Sequence, residues 1–321
     1  MRYLLFPFAL LLAGPGHGQT TADTLRPLRP DRLLRYTYAN DFLHRTDYYF
    51  TQGMTLTLVH PGLARLPSQR LLLRGPTGST QHHGITLRYD GFTPLRIQDP
   101  FIRVGDRPYA AYLYASFFRV SNHRPRRQRL TSALEIGFIG PAAGGKQLQT
   151  AIHRATNNPE PRGWDFQIGT DALLGYRVAY ERQLLAVANF VEAVGTAQAS
   201  VGTLYTYAGT GAQLRVGLLQ PYFDGPDVAG TGRRTWQLYA HTALEGRVVG
   251  YDATLQGGLF NSSNPYELPA SAVRRGVVRR STGLVLAHRG LSLAAGSTRV
   301  SPEVAGGRPH RWGHFAVTVA F

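Results

Sequence analysis

Apolar and polar positions alternate with period two along most of this chain. From Leu33 onward the alternation recurs in twelve stretches: 33–40, 50–60, 84–91, 109–119, 129–139, 173–182, 184–194, 201–217, 235–249, 275–288, 290–301 and 313–321. Each reads as a β-strand. Most reach the roughly 9–11 residues that a tilted strand needs to cross a bilayer. One segment departs from the pattern: Lys146 to Thr156 reads as a short helix. There is no internal repeat, no heptad and no evident linker. An even strand count in one unbroken unit predicts an all-β fold. The expected architecture is a transmembrane antiparallel β-barrel of about 12 strands over residues 33–321, with the helix in an extracellular loop.

The start of the chain bears on compartment. Met1-Arg2 is basic, Tyr3 to Ala13 is almost wholly apolar, and Gly14 to Gln19 is small and polar. That is the pattern of a secretory signal over residues 1–18, followed by a short leader at 19–32. The apolar run is too short for a membrane-spanning helix, which needs about 20 residues. At the other end, "HFAVTVAF" puts Val317, Val319 and Phe321 on one face. A terminal aromatic after an alternating strand resembles the insertion signal of outer-membrane barrels; a soluble protein's last strand is the plainer alternative.

Loop parity then sorts the polar stretches. In a barrel entered from the periplasm, connections after odd strands lie outside. Here those are about 41–49, 92–108, 140–172, 195–200, 250–274 and 302–312. The polar-rich stretches 40–51, 92–107 and 141–165 all fall among them, so they can meet at one outer rim.

Composition narrows the partners. Cysteine is absent, so an exported chain of this size is held together without disulfides. A mean hydropathy of -0.19 with 36 glycines and 17 tyrosines suits alternating strands, in a soluble sandwich or a membrane barrel. The net charge is +16, and Lys146 is the only lysine among 35 basic residues. Codon bias explains an arginine-rich chain; so does a surface for phosphates, which guanidinium grips in bidentate fashion. Nucleic acid is not expected as the partner of an exported protein, which leaves anionic lipid or polysaccharide.

Three clusters could carry chemistry. In "YANDFLHRTDYYFTQG" (38–53), Asn40 and Asp41 close the first strand and Thr51 opens the second, so a hairpin brings their oxygens together. Such a set suits a hard cation such as calcium, or simply a well hydrogen-bonded loop. In the predicted helix, Gln149 and His153 stand at i and i+4, on one face. A neutral histidine there can take a proton from water, or be an ordinary surface histidine. Glu160 follows seven residues on and could join a metal or orient the base. Between these clusters, Arg96, Arg103 and Arg107 suit phosphate groups, with an Asp106–Arg107 pair inside the loop as the alternative. No G-x-S-x-G occurs, so the usual serine-hydrolase elbow is missing.

Three stretches together, "ANDFLHRTDYYFTQG", "GDRPYAAYLYASF" and "GFIGPAAGGKQLQTAIHRA…GWDFQI", resemble the outer-membrane lipid A 3'-O-deacylase (LpxR) family. The likeness extends more weakly through "VEAVGTAQASVGTLYTYAGTGAQLRVG" and the last strands. It implies a twelve-stranded barrel acting as a carboxylic ester hydrolase in the outer membrane, with its site facing the outer leaflet. The substrate would be lipid A of lipopolysaccharide, cut at the 3'-linked acyloxyacyl ester with Ca2+, by a chain acting as a monomer. The family's site falls here on Asn40, Asp41, Thr51, Gln149 and His153. His153 would be the general base, and Asp41, Asn40 and Glu160 would hold the metal. Two positions depart from the family pattern: 92–107 contains no lysine, and Pro159 stands where a carboxylate is expected, with Glu160 beside it. The alternative function is a non-catalytic outer-membrane barrel, porin-like or surface-binding.

Overall fold

The structure, a computed structural model, describes residues 31–44, 46, 48–224 and 236–321. The expected signal peptide and nearly all of the leader lie outside those residues. Twelve antiparallel strands form a closed barrel. They are β1 Leu33–Asn40, β2 Tyr49–Val59, β3 Thr80–Thr93, β4 Ala110–His123, β5 Gln128–Ile139, β6 Asp171–Val187, β7 Val191–Gly202, β8 Tyr205–Leu218, β9 Gln237–Asp252, β10 Gly276–His288, β11 Leu291–Val300 and β12 His310–Ala320. The first and last strands seal the wall, with Leu33 opposite Ala320 and Asn40 opposite Gly313. Helix α1 spans Gly145–Thr156 and a four-residue helix, α2, spans Ala253–Gln256. No helix among the described residues is long and apolar enough to cross a membrane.

Side-chain alternation is inverted relative to a water-soluble protein. Leu34, Tyr36, Leu56, Leu87, Ile136, Leu174, Val201, Leu244, Leu284, Phe315 and Val319 are exposed on the outer wall, an apolar belt around the barrel. The inner face carries ion pairs instead. Arg88 contacts Asp90 at 2.8 Å, Arg177 contacts Glu135 at 3.2 Å and Arg247 contacts Glu245 at 2.5 Å. These pairs surround a cavity of about 280 Å³. At the end with short turns, residues 60–79 lie against the outer face of the wall, tied by Arg119 of β4, which donates to the carbonyls of Leu72 at 2.8 Å and Gln69 at 2.7 Å.

One hairpin differs from the sequence expectation. The alternation predicts a turn at 183, but β6 runs on to Val187 and turns through Ala188, Asn189 and Phe190. A β-bulge between Gln183 and Leu185 breaks the period-two pattern there and mimics a strand end. The stretch 195–200, expected as a loop, therefore lies inside β7, and only Thr203 and Leu204 link β7 to β8.

Candidate active site

The site is built on the outer wall. Register places Gln52, Met54 and Leu56 of β2 beside Gly91, Tyr89 and Leu87 of β3, on the face that carries the apolar belt. A second bulge, between Phe50 and Gln52, inserts Thr51. Phe50 turns inward and stacks on Trp312, ring centroids 4.3 Å apart. Asn40 stands directly opposite Gln52 on that outer face, and Asp41 follows it.

The strand-to-helix connection brings α1 against this wall. Gly140 has φ +97°, a backbone that favours glycine, and its amide donates to Ala111 at 2.8 Å. At Gly145 a Cβ would lie 2.5 Å from the Trp164 ring and 2.6 Å from the Ala111 Cβ, so only glycine lets the helix approach so closely. Trp164, Tyr89, Tyr109 and Ala111 form an apolar patch between helix and wall, with Leu148 packed against it. Along α1 the buried residues are Gly145, Gln149 and His153, one line at i+4 spacing.

Hydrogen bonds fix this line. Gln149 Nε2 donates to Thr51 Oγ1 at 3.3 Å, joining helix to wall across 98 residues of sequence. Trp164 Nε1 donates to Gln149 Oε1 at 2.6 Å. Asn157, at φ +55°, ends the helix, and the chain doubles back so that the Pro159 carbonyl lies 2.6 Å from His153 Nδ1. A carbonyl can only accept, so Nδ1 carries the proton and Nε2 is left as the basic nitrogen. Asn40 Oδ1 accepts from the Phe42 amide at 2.8 Å, and Asp41 Oδ2 from the Tyr48 amide at 3.1 Å. Exposure is 9% for Asn40, 4% for Asp41 and Thr51, 1% for Gln149 and 7% for His153. Burial of five polar side chains in one region costs free energy unless each is held, so the region is a constructed polar site within an apolar wall.

The other candidates are placed elsewhere. Glu160 is half-exposed and pairs with Arg154 at 2.7 Å, and that hydrogen bond holds its carboxyl below the ordinary carboxylate range. The Pro159 carbonyl, and not the Glu160 side chain, lies beside the His153 ring. Arg107 is buried, donating to Glu303 at 2.7 Å and to Thr254 Oγ1 at 2.6 Å, with its guanidinium over the Phe92 ring. The Asp106 side chain accepts from Arg103 at 3.3 Å, and Asp99 accepts from the same arginine at 2.5 Å. Arg96 is mostly exposed, 3.7 Å from Asp99. Trp164 was not singled out from the sequence. It sits in the "GWDFQ" string, but nothing in that spacing says its N–H seats Gln149.

The metal question turns on donor chemistry. Among the described residues no three histidines or carboxylates converge. Asp41 offers one carboxylate, with neutral oxygens from Asn40 and Thr51 in the neighbourhood. That set fits a hard, oxygen-seeking cation such as calcium with Glu160 left out.

Comparison with known proteins agrees with this architecture. The barrel superposes on LpxR from Salmonella typhimurium with a TM-score of 0.73 at 20% identity, covering 90% of this chain and 100% of that one. The β domain of the Bordetella autotransporter BrkA gives 0.47 at 11% identity, covering 90% and 99%. The NalP translocator domain from Neisseria meningitidis gives 0.37 at 11%, covering 90% and 88%. No curated protein matches the sequence. Residues 4–321 match the family described as outer membrane protein LpxR. The chain therefore belongs to the outer membrane protein LpxR family and is an outer-membrane β-barrel.

Proposed function

We propose that this protein is a lipid A 3'-O-deacylase, a hydrolase that removes the 3'-linked acyloxyacyl chain from lipid A. The observation that carries the reading is the His153–Gln149–Thr51 line, in which a histidine with a free Nε2 is held against a polar strand bulge on the lipid-facing wall. In this mechanism Nε2 takes a proton from water as the oxygen attacks the ester carbonyl. Thr51 accepts from Gln149, which leaves its own hydroxyl hydrogen to donate to the oxyanion. As the tetrahedral intermediate collapses, the bond to the sugar 3'-oxygen breaks and His153 returns the proton to that oxygen. The products are a free sugar hydroxyl and a 3-acyloxyacyl acid, with no acyl-enzyme. A calcium ion, held by Asp41 with Asn40, would supply further stabilisation of negative charge on the carbonyl oxygen. A porin-like reading gives no reason for Thr51, Gln149 and His153 to be buried together against the outer face of the wall.

The test is mass spectrometry of lipid A from a host with and without the expressed protein. Loss of one acyloxyacyl unit is expected with wild type and not with His153→Ala, a reduction of about 100-fold or more. Chelation should stop the purified enzyme and calcium should restore it. Identical lipid A profiles for wild type and His153→Ala would sink the proposal.

A further inference from the structure

The outer wall next to the site carries a second chemistry. On β10, β11 and β12 the register aligns Arg280 with Arg299, and Arg299 with Arg311. All three are exposed on the outer face, because the adjacent Arg279, Val300 and Trp312 point inward. None has a hydrogen bond or ion pair with a described residue, whereas Arg88, Arg107, Arg177, Arg215 and Arg247 each have an acidic partner. Like charges directly opposite one another destabilise a sheet, so a row of three is a standing cost unless an anion lies over it. With strands about 4.8 Å apart, the row spans roughly 10 Å.

The rows below it grade from polar to apolar. Toward the turn end, the next outward row is Thr282, Ser297 and Gly313, and the one after is Leu284, Ala295 and Phe315. The small side chain of Ala295 leaves a hollow there, lined also by Leu238, Leu284, Leu286, Leu293, Phe315 and Val317, with a volume of about 400 Å³. From top to bottom the wall offers cations, then hydroxyls, then an apolar groove, which is the profile of one amphiphile with an anionic head.

The row also adjoins the site. Asn40 pairs with Gly313, two residues from Arg311 on the same face. The turn after Asp41 folds back so that His44 lies 2.7 Å from Ser297 Oγ, within the hydroxyl row. Burial and the charge of Arg311 both lower the His44 pKa.

We propose that Arg280, Arg299 and Arg311 form a docking ladder for the phosphates of lipid A, with one acyl chain in the groove beneath. The inference rests on the deacylase reading for its choice of lipid, and it adds how the substrate headgroup is held. Arginine forks match phosphate oxygens bidentately, and the groove begins where a headgroup gives way to hydrocarbon.

Binding and turnover separate the two ideas. In the His153→Ala background, the full chain in detergent is titrated with lipid A bearing its phosphates, with dephosphorylated lipid A and with phosphatidylglycerol. Phosphorylated lipid A should bind tightest. Arg280→Gln, Arg299→Gln and Arg311→Gln combined should weaken it on the order of a hundredfold while leaving dephosphorylated lipid A unchanged. Retained heat-modifiable mobility on gels shows that the triple variant is folded. In the catalytically competent chain the triple change should raise KM with little effect on kcat. Equal binding of phosphorylated and dephosphorylated lipid A, preference for phosphatidylglycerol, or an unchanged KM in the triple variant would overturn the ladder and leave the deacylase standing. Ladder-dependent binding with no acyl release by wild type would support the ladder and remove the deacylase.

Discussion

His153 and Glu160 are seven residues apart in sequence, yet the fold gives them unrelated tasks. The helix ends at Asn157, and the reversal that follows hands the His153 Nδ1 proton to a backbone carbonyl. Glu160 is carried outward to Arg154. Glu160→Gln should therefore keep activity within about threefold of wild type, because a solvent-exposed ion pair is screened and contributes little. A loss of 100-fold would restore Glu160 to the site. Trp164→Phe should do more: it keeps the ring but leaves the buried Gln149 oxygen without its donor, a loss of about 1–3 kcal/mol. An activity assay on lipid A should show a drop of roughly tenfold, and the pH profile should be unchanged because His153 keeps its own partner. Residue identity foretold much of this region. Asn40, Asp41, Thr51, Gln149 and His153 stand out by type, spacing and likeness to a family. The Pro159 carbonyl could not stand out, since every residue has one and only the chain reversal aims it.

Helix α1 is held to the wall by contact more than by caps, for neither Gly144 nor Asn157 uses a side chain to end it. Gly145→Ala drives a methyl group into Trp164 and Ala111, and overpacking of this kind costs about 1–3 kcal/mol. The helix should lift and turnover should fall, while the barrel keeps its folded gel mobility. Gly144→Ala is the control: its Cβ meets nothing within 4 Å, so only the left-handed backbone at φ +73° is penalised, by about 1–2 kcal/mol. If both changes act alike, the close approach at Gly145 is not what seats the helix. The strands were legible because membrane and lumen impose opposite demands on alternate residues. Where a bulge shifts the phase, as at Gln183 and Leu185, the same logic misplaced a hairpin by about five residues. The bulge at Thr51 escaped notice because it falls near a strand end, where alternation has too few positions to break.

At the scale of the whole molecule, the loops at the site end are moored into the barrel by charge. Glu303, from the β11–β12 loop, accepts from Arg107 of the β3–β4 loop, and His310 stands 3.8 Å away. Burial opposes the Glu303 charge, but Arg107 and His310 outweigh it and hold the carboxyl below its ordinary value of 4.5. A depressed carboxyl contributes stability that is fully present above its unfolded value and is lost as pH falls through the folded one. Thermal unfolding followed by circular dichroism should thus show a midpoint that drops below about pH 4.5, and Glu303→Gln should flatten that part of the curve. An unaltered acid limb in Glu303→Gln would assign the lability to other carboxylates.

The candidate site lies outside the barrel wall, and that placement has a kinetic consequence. A substrate reaching His153 from the surrounding leaflet arrives by lateral diffusion in two dimensions and never needs to leave the membrane. Under the deacylase reading the rate is then set by the mole fraction of substrate in the surface, not by its amount per volume. Diluting lipid A with inert detergent at constant bulk concentration should slow the enzyme, whereas adding water should not.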